Sequence, residues 1–124
     1  MGKIIRGRCS NCGYQAELFV GGGLRDCRPE TALSAVPGNP SLERAVRSGA
    51  RFEIERDIAV CRRCQKLLVM PYITYWSAED EVHHATSACP ECGGLPTRLG
   101  EELKSTPCPV CGRNMKLLPD GHWD

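Results

Sequence analysis

Eight of the nine cysteines in this chain fall into four C-x-x-C pairs: Cys9/Cys12, Cys61/Cys64, Cys89/Cys92 and Cys108/Cys111. Two residues between cysteines let a tight turn aim both sulfurs at one point. Two such turns together make a tetrahedral thiolate cage, which Zn²⁺ takes in structural sites at about 2.3 Å from each sulfur. The spacing therefore predicts two Cys₄ sites and a cofactor set of two Zn²⁺, with all eight paired cysteines as ligands.

Finer features support metal over disulfides. Cys12, Cys92 and Cys111 are each followed by glycine, and the last two pairs read Cys89-Pro90-Glu91-Cys92-Gly93 and Cys108-Pro109-Val110-Cys111-Gly112. A glycine there takes φ > 0 without steric cost and turns backbone N–H groups toward the thiolates, while proline fixes φ at the start of the turn. This pattern resembles the zinc-ribbon and rubredoxin-like Cys₄ superfamily over the knuckles and their flanking strands. Cys61-Arg62-Arg63-Cys64-Gln65 departs from it, with no glycine and two arginines inside. The resemblance implies a small, metal-stabilised, mainly β protein with two zinc-ribbon-like units.

Composition points the same way. Aromatic residues are 6% of the 124, while Gly and Pro number 13 and 9. Such loop-rich chains bury too little apolar surface to dispense with staples. A secreted disulfide framework spreads its cysteines more widely. The opening residues, Met1 to Arg6, contain no signal h-region, and the longest apolar run, Leu67 to Trp76, is too short to span a bilayer. The expected setting is a reducing cytoplasm, with no membrane partner.

Fifteen residues separate Cys92 from Cys108, a compact ribbon spacing, whereas forty-eight separate Cys12 from Cys61. Short sequential connections favour joining the pairs in order. The expected division is thus residues 1–80 around Cys9/Cys12/Cys61/Cys64, with a helical insertion over about 24–50, and residues 81–124 around Cys89/Cys92/Cys108/Cys111. The alternative joins Cys61/Cys64 to Cys89/Cys92 and leaves the outermost pairs to meet.

Between the knuckles, Tyr14 to Val20 reads as a strand ending at Gly21-Gly22-Gly23, and Pro29 to Val36 as a short helix. Asn39-Pro40 starts a second helix, with Asn39 as N-cap and Pro40 at its first position. Leu42, Ala45 and Val46 form its apolar stripe and Gly49 stops it. Arg51 to Val60 alternates, with Phe52, Ile54, Ile58 and Val60 on one face; Lys66 to Trp76 is its hairpin partner, and Glu81 to Ala88 a shorter strand. Met115 to Leu118, a turn at Pro119-Asp120-Gly121 and His122-Trp123 read as a terminal hairpin.

Other reactive residues suggest no chemistry. Cys27, between Arg25 and Arg28, reads as a spare or packed thiol with no base beside it. His83 and His84 occupy adjacent strand positions, so their rings point to opposite faces. His122 beside Trp123 is read likewise. Gly21 to Gly23 lack the pattern of a phosphate loop. A catalytic zinc needs an open position, and two full sets of four leave none; no enzyme activity and no small-molecule substrate are expected.

Charge singles out a partner face. Residues 1–66 hold twelve Lys/Arg against seven Asp/Glu, and residues 67–124 four against eight. Arg8, Arg62, Arg63 and Lys66 flank the first two knuckles, where they either balance the thiolates or contact an acidic surface or phosphate backbone. The expected function is a binding module or adaptor for a protein partner. A nucleic-acid-binding accessory role is the alternative, and a rubredoxin-like electron carrier a weaker one.

Overall fold

A computed structural model describes residues 2–22, 27–99 and 105–123. The protein is mainly β: strands β1 (Gly2–Arg8) and β2 (Gln15–Gly21), helices α1 (Pro29–Ala35) and α2 (Pro40–Arg47), then strands β3 (Phe52–Cys61), β4 (Lys66–Trp76), β5 (Val82–Thr86), β6 (Thr97–Arg98), β7 (Ser105–Pro107) and β8 (Asn114–Trp123). The strands form one sheet in the order β5-β4-β3-β2-β1-β8-β7, with β6 also pairing β3. β2 meets β3 at a single register position, Gly21 opposite Arg56. That narrow seam lets the two halves of the sheet turn toward each other.

The alternation in β3 and β4 decides what each half covers. On one face, Ile54, Ile73 and Tyr75 pack with Leu42 and Val46 of α2 and Ala32 of α1. Further along the same face, Ile58, Leu67 and Val69 pack with Leu18 of β2 and Met115 and Leu117 of β8. Helices therefore cover one end of the β3–β4 hairpin and the other half-sheet covers the opposite end. The second face carries Glu53, Glu55, Tyr72 and Thr74, where Arg98 of β6 spans from Asp57 (Nε to Oδ2, 2.7 Å) to the face of Tyr72.

The helices start as the sequence predicts. Asn39 Oδ1 accepts from the Leu42 N–H at 3.1 Å, Pro40 follows it, and Gly49 at φ 83° takes the chain out of α2. Tyr75 Oη donates to Ser41 Oγ at 2.9 Å and pins the helix to β4. Asn39→Ala removes the side-chain N-cap of this two-turn helix and is expected to cost about 1 kcal/mol, read as a shift in the urea midpoint at unchanged slope.

The expectation for the C-terminal end is corrected. Pro119-Asp120-Gly121 is not a hairpin turn: β8 runs on through it to Trp123, paired along its length with β1. The register shifts between Ile4, opposite Gly121, and Ile5, opposite Pro119, so Asp120 is the extra residue of a bulge. Proline has no N–H to give to a ladder, and a bulge is one place where a strand tolerates that. The partner is β1, a strand whose two glycines weaken its pattern in the sequence. Both glycines allow close packing: a Cβ on Gly2 would run into the Trp123 ring, and one on Gly7 would lie 2.5 Å from Met115 Cε and push that side chain aside.

Candidate metal centres

Each C-x-x-C pair is a tight turn of one repeated form. The N–H of the first cysteine donates to the carbonyl five residues on, and the residue after the second cysteine donates back. The distances are 2.8 and 3.0 Å at Cys9, 2.7 and 2.9 Å at Cys89, and 2.7 and 2.9 Å at Cys108. Gly13, Gly93 and Gly112 take φ of 79°, 72° and 77°. The atypical knuckle makes the same turn, because Gln65 adopts φ 54° and Cys61 pairs with Lys66 in the β3–β4 ladder.

The sulfurs gather as Cys9, Cys12, Cys108 and Cys111, and as Cys61, Cys64, Cys89 and Cys92, each four within 4.8 Å of one another. This overturns sequential pairing in favour of the nested alternative. Strand order is the cause. The first knuckle closes the β1–β2 hairpin and the fourth closes β7–β8; β1 and β8 are neighbours, so the two turns arrive at the same end of the sheet. The third knuckle connects β5, which pairs β4, to β6, which pairs β3, and so crosses the end where the β3–β4 hairpin carries the second. Lys66 of the second knuckle ion-pairs with Glu91 of the third.

The geometry suits a tetrahedral ion. Sulfur–sulfur distances are 3.5 Å for Cys9–Cys111, 3.6 Å for Cys12–Cys108, 3.5 Å for Cys61–Cys92 and 4.0 Å for Cys64–Cys89. A tetrahedron with metal–sulfur bonds of about 2.3 Å has edges of roughly 3.8 Å. Both groups can therefore hold a metal ion. Cys9, Cys61, Cys89 and Cys108, the first residue of each knuckle, are buried, while the second cysteines lie nearer solvent.

Four sulfurs this close cannot all ionise without a cation. At Cys111 the Arg113 N–H, then the Asn11 side chain, lower the thiol to about 6. The N–H groups of Cys92 and Glu91 lower Cys89 to about 7. Desolvation opposes ionisation of Cys108, but the N–H groups of Cys111 and Val110 overcome it and bring its value down. The remaining protons are held: at Cys12 a bond from the Tyr14 N–H pulls downward, yet desolvation and the sulfurs of Cys108, Cys9 and Cys111 push the thiol up to about 12. Cys64 rises to about 12 as well, through the Cys92 sulfur first, then desolvation and the sulfurs of Cys61 and Cys89. The turns thus prepare some thiolates, and an entering cation must displace the other protons.

The remaining candidates lie elsewhere. Arg8 adjoins the Cys9 group, whereas Arg62, Arg63 and Lys66 belong to the other, so these cations do not converge on one centre. Arg8, Arg62 and Arg63 are exposed and have no carboxylate partner among the described residues, unlike Lys66. Cys27 is exposed and outside both groups. His83 stacks on Tyr75 with ring centroids 5.1 Å apart, while His84 lies 3.3 Å from Thr74 Oγ1 on the other face. His122 sits opposite Lys3 at the far end of β8. Gly21 ends β2 at φ 86°, and Gly23 lies outside the described residues. No described helix is long and apolar enough to cross a membrane. No family model matches the chain, nor does any curated protein or solved structure.

Proposed function

We propose that the protein is a non-enzymatic binding module of the cytoplasm, held together by two structural Zn²⁺ ions, that docks an acidic surface of a protein partner. The metal reading is supported by thiolate-only donors in two sets of four, which suit Zn²⁺ and leave no position open for substrate. Cys9, Cys12, Cys108 and Cys111 would hold one ion and Cys61, Cys64, Cys89 and Cys92 the other. Each ion would supply a cross-link between hairpins and no reaction step.

The observation that carries the docking reading is the tip of the second knuckle. Arg62 and Arg63 are exposed there and unpaired, while the neighbouring Lys66 is already bridged to Glu91. Gln65, not arginine, makes the turn. The two guanidinium groups are therefore spare, and planar forked donors match carboxylates well. In a titration of the metal-loaded chain with a labelled oligoglutamate peptide, the Arg62→Ala/Arg63→Ala variant should retain its metal and its circular dichroism. Its affinity should fall by roughly two- to thirtyfold, the worth of two exposed charge pairs, with a shallower salt dependence. Equal affinity in the variant would return both arginines to charge compensation of the thiolates.

A further inference from the structure

The open face of the β2–β1–β8 half-sheet carries aromatic residues at one end and cations at the other. Ile5 of β1 and Cys9, just after it, point into the core with Leu18, Met115 and Leu117. Ile4, Arg6 and Arg8 therefore point the other way, and their cross-strand partners are Phe19, Glu17 and Lys116 respectively. At one end, Phe19 is 45% exposed and meets Trp123 edge-on with ring centroids 6.2 Å apart. The indole lies over Gly2, where any side chain would collide with it, and its Nε1–H donates to the Val20 carbonyl at 2.9 Å. The indole is thus held by backbone contacts before any partner arrives, with Phe19 against its edge.

The other end of the same face is cationic. Arg8 and Lys116 stand directly opposite each other, both exposed, with no carboxylate partner among the described residues. Like charges in that position destabilise a sheet, so an anion is the missing complement. Arg6, between the two ends, is neutralised by Asp120 at 2.9 Å and Glu17 at 3.7 Å. The cationic row at Arg8 lies four positions along β1 from Ile4, which faces Phe19, about 13 Å along the strand.

We infer that this face binds single-stranded nucleic acid, with a base stacked on Phe19 and Trp123 and the backbone phosphates drawn to Arg8 and Lys116. Aromatic platforms beside a cationic track take unpaired strands because every base has a π-face. A duplex hides those faces, and the face of a sheet offers no projecting element to enter its grooves. An acidic protein would satisfy Arg8 and Lys116 but leave the aromatic pair without a matching group. The inference is independent of the Arg62/Arg63 reading, since it uses a different face and a different class of partner.

The test is anisotropy of a short labelled oligo(dT) and oligo(U), each against a blunt duplex, titrated with the full metal-loaded chain at two salt concentrations. Single strands should bind more tightly than duplex, with quenching of tryptophan fluorescence. Phe19→Ala should weaken binding by roughly five- to a hundredfold, and Phe19→Leu, which keeps apolar bulk without a π-face, should weaken it as well. Arg8→Gln/Lys116→Gln should reduce the slope of log K against log salt by about 1.4. Metal content and circular dichroism of each variant report folding; Phe19 and both cations are exposed, so the fold should persist. Wild-type affinity in both Phe19 variants, equal binding of duplex, or no single-strand binding at low salt would overturn the inference. Loss of oligonucleotide binding in Arg62→Ala/Arg63→Ala, with Phe19→Ala unaffected, would move the nucleic acid to the knuckle and overturn it too.

Discussion

Cys108→Ser is expected to release the ion shared with Cys9 and Cys12 while the ion at Cys61, Cys64, Cys89 and Cys92 stays bound. Each group is complete in itself, so elemental analysis should fall from two zinc per chain to one. The affected group ties the β1–β2 hairpin to β7–β8 across nearly the whole length of the chain. Its loss frees the longest loop in the molecule, and amide exchange should accelerate in β1 and β8 before β3 and β4. Chelating both ions should unfold the chain, since zinc binding in isolated finger peptides contributes on the order of 10–16 kcal/mol against roughly 5–15 kcal/mol for a whole domain. Chelation that left circular dichroism unchanged would show the metals to be accessory. A red protein absorbing in the visible would instead indicate iron and favour electron transfer.

Acid should act in the same direction as chelator. Only thiolates bind the ion, and without it Cys12 and Cys64 sit at about 12, so their protons are expelled when metal enters at neutral pH. Lowering the pH favours the protonated, metal-free cage, and the dependence steepens below about 7 and then about 6 as Cys89 and Cys111 also take up protons. Metal release should therefore rise monotonically as pH falls.

Leu42→Ala should be the most damaging single change away from the metals. Leu42 is 0% exposed and anchors α2 against Ile54, Ile73 and Tyr75. Truncation removes the transfer free energy of the side chain and leaves a cavity between helix and sheet that two short helices cannot close. The expected loss is about 2–5 kcal/mol, measured by urea unfolding of the metal-loaded chain. Both ions should remain bound below the transition, because this core lies at the opposite end of the β3–β4 hairpin from the Cys61 group. A loss below about 1 kcal/mol would mean that the helix pair docks only loosely.

Local chemistry makes much of this protein legible in its sequence. β4 spans Lys66–Trp76 as its apolar run foretells, Asn39 caps the helix it precedes, and Phe52, Ile54 and Ile58 share a buried or half-buried face. Knuckle turns are legible for the same reason: two intervening residues and a glycine at positive φ are short-range geometry. Even Gln65, which lacks the glycine signature, reaches φ 54° because the flanking hairpin imposes the turn.

Pairing of the knuckles follows a different logic. The eight paired cysteines are chemically equivalent, so spacing favours the nearest partners and carries no information about strand order. That order arises from long-range packing, which places β8 beside β1 and sets β5 and β6 on either side of the β3–β4 hairpin. The same long-range pairing makes Pro119-Asp120-Gly121 a bulge where its residues spell a turn, and it brings Phe19 against Trp123. Turn and helix signals act over a few residues and survive in the sequence. A contact between the first strand and the last depends on the packing of everything between them, and no local pattern encodes it.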